Sequence, residues 1–292
     1  MDQAAVITKP SRPTKMSFHL DVPKLIITLL MLLFGLLMMM PFAWMISASL
    51  KKPIEVFQYP IQWIPHELQF SNYSKVWFNK TYPFYLFYWN SIKVAILTIG
   101  GTVLISATAA YAFARMDFRG KNIVFMLYLS TLMIPPHVTL VPRFILFHWI
   151  GVYNTHWALI LPGMFNVIGI FMLRQFFISI PKEISEAAHI DGAHHFKIFY
   201  KIIMPLSIPG VISLVILSFV WNWNSYMDPL IFITSKSLYT IPLGLQTLND
   251  AEGAQYNLVM AGATCAIIPI IAVFLAGQKY FIQGIASSGV KG

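Results

Sequence analysis

Cysteine and charged residues are both scarce in this sequence. One cysteine, Cys265, occurs among 292 residues, so neither an intrachain disulfide nor a cysteine-based metal site can form. Only 11% of the residues are charged, 57% are hydrophobic, and the mean hydropathy is +0.67. A soluble domain of this length needs more charge to cover its surface. The composition therefore indicates a polytopic membrane protein.

Long basic runs and catalytic motifs are missing as well. The net charge is +9, yet no basic run is longer than the pair Lys51 and Lys52, whereas nucleic-acid binders cluster their charge. The sequence has no GxxxxGK[ST] phosphate loop, so this chain is not itself an ATPase. We therefore expect a protein that is not an enzyme, with no nucleic-acid partner, no metal site and no cofactor in this chain.

Long apolar runs are what the sequence has instead. A bilayer core of about 30 Å requires about 20 apolar residues in a helix. Six segments qualify, the third of them interrupted by Pro135 and Pro136: 25–46, 94–113, 123–141, 157–180, 208–231 and 258–277. The first is too long for the core of a signal peptide, so we expect an uncleaved anchor. The predicted fold class is all-α, with six transmembrane helices.

Lysine and arginine are unevenly divided between the two sides of these six spans. Thirteen of the 20 fall on the side that holds both termini and the loop after the fourth span. Because basic residues are enriched in cytoplasmic loops, both termini and this loop are predicted to be cytoplasmic. The predicted organisation is a cytoplasmic segment, a membrane domain containing a cytoplasmic loop at 181–205, and a cytoplasmic tail: 1–24, 25–280 and 281–292.

The loop after the fourth span contains the polar stretch EAAHIDGAHHFKIFYKIIMP, residues 186–205. The pattern predicts a short helix over 182–190, a break at Gly192, and a second helix over 194–203. An interfacial amphipathic helix would explain the aromatic residues of this loop. A zinc site is a second interpretation, although no HExxH pattern occurs; its ligands would be His189, Asp191, His194 and His195. A docking helix is the third, because small alanine side chains allow another protein to approach closely.

This stretch resembles the EAA loop of binding-protein-dependent ABC importer permeases. The pattern E-A-A, three residues, G, nine residues, I-x-L-P is matched throughout, except that Met204 replaces leucine. In that family the loop forms a cytoplasmic coupling helix that docks on an ATPase. The resemblance implies that Glu186 meets a basic residue of the ATPase and that Phe196 packs the loop onto its own bundle. The ATPase-coupling residues it implies are Glu186, Ala187, Ala188, Asp191, Gly192, Phe196, Ile202 and Pro205.

The resemblance covers nearly the whole chain, through stretches such as AYAFARMDFRGK and WNWNSYMDPLIF. It is to the smaller, six-span permease of the carbohydrate uptake family, the maltose-type G subunit of a bacterial inner membrane. It implies a carbohydrate substrate, an oligosaccharide above all, and an extracytoplasmic solute-binding protein. It also implies a second, non-identical permease and two ATPase subunits, on which ATP and magnesium bind. Family tails reach between these subunits, which assigns ATPase contacts to Ser287, Ser288, Gly289 and Lys291.

Polar residues within the fifth span suggest a substrate path, because such residues in a membrane often mark one. Aromatic rings stack on sugars and amides bind hydroxyls, and no basic residue lies within this stretch, which favours a neutral solute. The predicted path residues are Trp221, Asn222, Trp223, Asn224, Tyr226 and Asp228. An aromatic belt at the membrane interface is the alternative. In related permeases the loop before the last span contacts the binding protein, which implicates Asn249, Gln255, Tyr256 and Asn257.

Three rival functions stay open at this point. The nearest is a permease subunit of an ABC importer for another solute, such as an amino acid or phosphate. An intramembrane metal enzyme would use the histidines of the 181–205 loop. A secondary transporter would need ionisable residues in the middle of its spans, and the sequence has few there.

Overall fold

The structure, a computed structural model, describes residues 22–252 and 255–289, which form helices and no strands. The chain divides into two units, Met1–Trp44 and Met45–Gly292. The α-helices are α1 Val22–Ser49, α2 Ser71–Trp77, α3 Phe84–Arg115, α4 Lys121–Ser130, α5 Leu140–Trp149, α6 Trp157–Met164, α7 Val167–Ser179, α8 Lys182–Ile190, α9 His195–Ile198, α10 Met204–Leu206, α11 Ile208–Trp223, α12 Met227–Phe232, α13 Ile241–Glu252 and α14 Tyr256–Gly289. A π-helical turn, Phe199–Ile203, joins α9 to α10.

Four stretches of helix among the described residues are long and apolar enough to cross a membrane: Val22–Ser49, Phe84–Arg115, Trp157–Ser179 and Tyr256–Tyr280. Two further helix pairs qualify but are bent, one by 92° at Pro135 and the other by 76° at Ser207. The number of spans is six if each bent pair counts once. Each of the six predicted segments overlaps one of these candidates, and the all-α membrane fold is confirmed.

Two predicted boundaries need correction. The fifth span was expected to reach residue 231, but α11 ends at Trp223 and α12 starts only at Met227. At this break the Asn224 side chain donates a hydrogen bond to the carbonyl of Val220 at 2.8 Å, and such bonds compete with regular helix. The segment before the last span, predicted to be a loop, contains the helix α13, whose Leu248 is buried.

The centre of the second unit is α3, which packs against α6, α7, α11 and α13. Around its N-terminal half, Phe84 and Phe87 form an apolar cluster with residues of α11, α13 and α14. Around its C-terminal half, Tyr111 belongs to a second cluster with residues of α7 and of the 181–205 loop. The crossing of α3 and α7 is close, since a Cβ at Gly169 would meet Ser106. The loop therefore rests directly on the α3–α7 pair.

Candidate coupling surface and substrate cleft

Helix α8 occupies the residues that the EAA pattern predicted to be helical. Pro181 precedes it and Glu183 lies in its first turn, where a negative charge favours the helix dipole. At the other end, Gly192 adopts φ +76°, and the N–H of Ala193 donates to the carbonyl of Ala188 at 2.9 Å. This is a Schellman ending, which requires a left-handed residue and so favours glycine. The fixed glycine of the pattern therefore terminates the helix.

The predicted small-residue face of α8 is divided in the structure. Ala188 packs against the second apolar cluster, whereas Ala187 is exposed to the outside. Ile184 is 40% exposed and Ile190 is 87% exposed, and no residue of α8 is buried. With Ala187 these two isoleucines, at spacings of three, form an apolar patch on a polar helix. We call Ile184, Ala187 and Ile190 the α8 patch.

Glu186 is exposed, at the rim of a cavity of about 430 Å³ between α8 and the end of α3. Basic side chains of this same chain line the cavity, including Arg115, Lys121 and Lys182. The prediction that Glu186 meets a basic residue of another protein stays a prediction. The structure adds that Glu186 lines the same cavity as these basic residues of its own chain.

The prediction for Phe196 disagrees with its position. Phe196 is 70% exposed, whereas Ile198 and Ile203 are 1% and 0% exposed and pack the second helix of the loop onto the bundle. Phe196 precedes Ile198 by two residues, about 200° around a helix, and therefore points the opposite way. Of the other predicted coupling residues, Asp191 and Pro205 are exposed and Ile202 is half-buried.

Histidines come together in this loop without forming a metal site in the described residues. The rings of His189 and His195 are 4.7 Å apart and perpendicular, and the Tyr111 hydroxyl lies 3.4 Å from Nδ1 of His195. No group of three or more possible His, Cys, Asp or Glu ligands occurs within the described part of the chain. The contacts instead join α8 and α9 to α3.

A small cleft of about 60 Å³ lies between α6 and the break that separates α11 from α12. Of the predicted path residues, Trp221, Asn222 and Asp228 line it, together with Ser225. The amide of Asn222 is engaged with its own helix, since it donates to the carbonyl of Ser218 at 2.8 Å. Asn224 and Tyr226 are exposed but do not line this cleft.

Two predictions about this stretch require correction. Trp223 is a core residue: it is 2% exposed, and its indole N–H donates to the carbonyl of Ala266 at 2.9 Å. The stretch is also not free of basic groups in space, because a nitrogen of Arg143 lies 2.8 Å from Asp228. The Arg143 guanidinium is in addition 5.1 Å from the ring centre of Phe232. The sequence alone does not reveal this pair, because the two residues are 85 positions apart.

The residues predicted to contact a binding protein differ in their exposure. Asn257 is 2% exposed, so in this arrangement its side chain is not available to a partner. Asn249 and Gln255 are half-buried, and Tyr256 is exposed, with its ring edge-on to Phe57 at 5.0 Å. Of the tail residues, Ser287, Ser288 and Gly289 lie in the backbone of α14, and Lys291 falls outside the described residues.

Residues 233–241, which join α12 to α13 and which we call the strap, are held by polar side chains from other elements. Asn154, with φ +55°, accepts hydrogen bonds from the backbone N–H groups of Thr234 and Ser235 at 3.0 and 2.9 Å. Its amide also donates to the Ser235 hydroxyl at 2.8 Å. His156 Nε2 lies 3.0 Å from the carbonyl of Leu238, to which it donates, and Asn90 donates to that of Tyr239 at 3.0 Å. Sequence reasoning missed these residues, because each bond joins distant parts of the chain.

With this geometry in view, the comparisons with known proteins define the class. The chain belongs to the family described as binding-protein-dependent transport system inner membrane component, which it matches over residues 20–287. It is 35% identical to the arabinooligosaccharides transport system permease protein AraQ of Halalkalibacterium halodurans, covering 86% of this chain and 91% of that protein. It is 33% identical to the sn-glycerol-3-phosphate transport system permease protein UgpE of Yersinia enterocolitica, covering 90% and 94%.

A solved structure shows the same fold. It is that of a bacterial ABC transporter involved in the import of the acidic polysaccharide alginate, at a TM-score of 0.79 and 23% identity. The match covers 94% of this chain and 100% of the other. Family and fold agree on a transporter permease, a non-enzymatic role in the membrane.

Proposed function

We propose that this chain is one of two non-identical permease subunits of an ATP-driven importer that takes up a carbohydrate. The α8 patch carries the proposal, because three exposed apolar residues on one short polar helix form a surface that a partner protein would cover. The phosphate-binding motif of ATPases is absent from the sequence, so the patch fits a separate ATPase subunit. Two such subunits, holding ATP and magnesium, would serve the two permeases.

The orientation in the proposal comes from charge in the sequence. Thirteen of the 20 lysines and arginines fall in the segments predicted to share a side with α8, and we propose that this side is the cytoplasmic face of a bacterial inner membrane. The strap and α13 then face the other side. We propose that an extracytoplasmic binding protein docks there and delivers the solute, with Asn249, Gln255 and Tyr256 at or near the contact.

A carbohydrate is favoured by the AraQ relative and by the aromatic and hydroxyl groups beside the cleft. A phosphorylated or acidic solute is the second candidate, favoured by the UgpE relative and by Arg143 next to Asp228. The two candidates differ in what the cleft must do, because a neutral sugar needs only hydrogen bonds whereas an anion competes with Asp228 for the guanidinium.

Reconstitution of the whole complex in vesicles tests the proposal. ATP hydrolysis is measured with the binding protein empty, loaded with neutral oligosaccharides, or loaded with sugar phosphates and acidic saccharides. Stimulation by neutral oligosaccharides supports the first candidate, and stimulation only by anions supports the second. Uptake by this chain alone, driven by an ion gradient, would contradict both.

A further inference from the structure

Two arginines near α8, one on α3 and one on α7, each donate hydrogen bonds to main-chain carbonyls at the end of the other helix. Nη2 of Arg115, the last residue of α3, donates to the carbonyls of Phe177 and Ile180, both at 2.6 Å. In the opposite direction, Nε of Arg174 on α7 donates to the carbonyl of Phe113 on α3 at 3.3 Å. Each arginine therefore binds main-chain oxygens at the C-terminal end of the other helix.

The sequence explains why α7 needs this bond. The carbonyl of Phe177 would ordinarily accept from the N–H of the residue four positions later, which is Pro181 and has no N–H. The last carbonyls of a helix also carry partial negative charge, which a cation stabilises. Arg115 supplies the N–H donor that Pro181 lacks, at the point where the chain leaves α7 and enters α8.

Arg174 extends the same arrangement to α4. Its guanidinium lies 4.2 Å from the ring centre of Phe125, and Phe125 packs against Phe113 at 5.2 Å between ring centres. The cation thus joins the end of α3 and the middle of α4 to α7 through one carbonyl and one aromatic face. Both arginines are only partly exposed, so competition from water is reduced.

We propose that Arg115 and Arg174 form a clamp that makes the ends of α3 and α7 move with α8 as one body. This inference rests on the proposed function, in which an ATPase displaces α8. A rigid displacement reaches the spans only if the joint at Pro181 does not flex. Arg115 and Arg174 are positioning residues for coupling, and neither contacts the solute or the ATPase in this role.

The test uses the assembled complex in vesicles, with the number of solute molecules imported per ATP as the readout. Arg115→Gln is expected to lower this ratio about tenfold, a typical size for a coupling free energy, while hydrolysis continues. Arg115→Lys keeps the positive charge and an N–H donor on a shorter side chain, and it is expected to restore part of the ratio. Arg119→Gln is the matched control, because it removes a charge from the same end of the bundle at an exposed residue.

The arginines are further expected to behave as a unit. Combining Arg115→Gln with Arg174→Gln should lower the ratio little more than either change alone, since both break one joint. If Arg115→Gln prevents assembly, Arg115→Lys and Arg174→Lys still test the joint at Pro181. For each lysine variant, the number of solute molecules imported per ATP is expected to lie between that of wild type and that of an uncoupled complex.

An unchanged ratio in Arg115→Gln, or an equal loss in Arg119→Gln, would overturn the clamp. These results are distinguishable from failure of the proposed function. If the wild-type complex bound no ATPase or imported nothing, the proposed function itself would fall, whereas a coupled wild type with a fully coupled Arg115→Gln would refute only the clamp.

Discussion

The two polar regions of this protein, α8 and the strap, are built in opposite ways. The α8 patch is exposed, and Ile190 at 87% exposure has almost no covering from its own chain. The strap has no comparable apolar patch, and side chains from α3 and from the start of α6 hold its backbone through hydrogen bonds. The exposed α8 patch leaves room for the partner proposed above, whereas the backbone of the strap is already bound by side chains of its own chain.

The largest expected effect comes from breaking the α8 side of this comparison. Ile190→Asp should weaken binding of the ATPase about 30-fold, the size of a 2 kcal/mol hot-spot loss, because a charge would be buried at an apolar contact. Co-purification and titration of the ATPase measure it. Ile54→Asp is the matched control, since Ile54 is 86% exposed on the 3-10 turn Pro53–Glu55. Equal binding by wild type and Ile190→Asp would remove the basis for the coupling surface.

Asn154 makes three of the hydrogen bonds that hold the strap, so substituting it is the most direct test of this region. Asn154→Ala should lower the free energy of unfolding by about 1.5 kcal/mol, because three hydrogen bonds that are not fully buried are lost at about 0.5 kcal/mol each. Thermal unfolding of the purified protein in detergent measures the change. Asn154→Gly separates the causes, because glycine tolerates φ +55° but also loses the bonds. If Asn154→Ala is as stable as wild type, the strap is not held as described.

Gly192 tests how α8 ends, because the glycine terminates this helix through its backbone conformation alone. A Cβ placed there meets nothing within 4 Å, so the cost of a side chain is left-handed strain rather than crowding of the turn. Gly192→Val should cost about 1–2 kcal/mol, whereas Gly192→Asn, which visits this conformation more readily, should cost less. Unfolding measurements on both variants test this order. Equal costs would show that the strain is absent.

The smallest expected effect is a dependence of the strap on pH through His156. Burial lowers the pKa of His156 below its ordinary value, although the bond to Leu238 opposes this. The unfolded chain therefore binds the proton first, and stability declines as pH falls below about 6.5. Unfolding measured between pH 7.5 and 5 should show this decline in wild type and a weaker one in His156→Gln. A decline of equal size in both would assign it to other groups.

The sequence predicts the features that depend on residues close together in the chain, and it misses those that depend on distant residues. The spans depend on local hydropathy, and α8 depends on a pattern whose glycine, at Gly192, has a local backbone reason. The predicted packing of Phe196 onto the bundle was wrong, because Ile198 and Ile203 occupy the core-facing positions of this part of the loop. The Arg143–Asp228 pair, the Asn154 bonds and the two-arginine clamp join distant positions, and no local pattern contains them.

The central claim is that the α8 patch docks on an ATPase, and site-directed crosslinking tests it most directly. In a Cys265→Ser background, Ile190→Cys carries a short thiol-linked photo-crosslinker in the assembled complex, with Ile54→Cys as the control. We predict that the ATPase subunit is captured from position 190 and not from position 54. Capture from position 190 of lipid or of the second permease only, with no ATPase, would contradict the account.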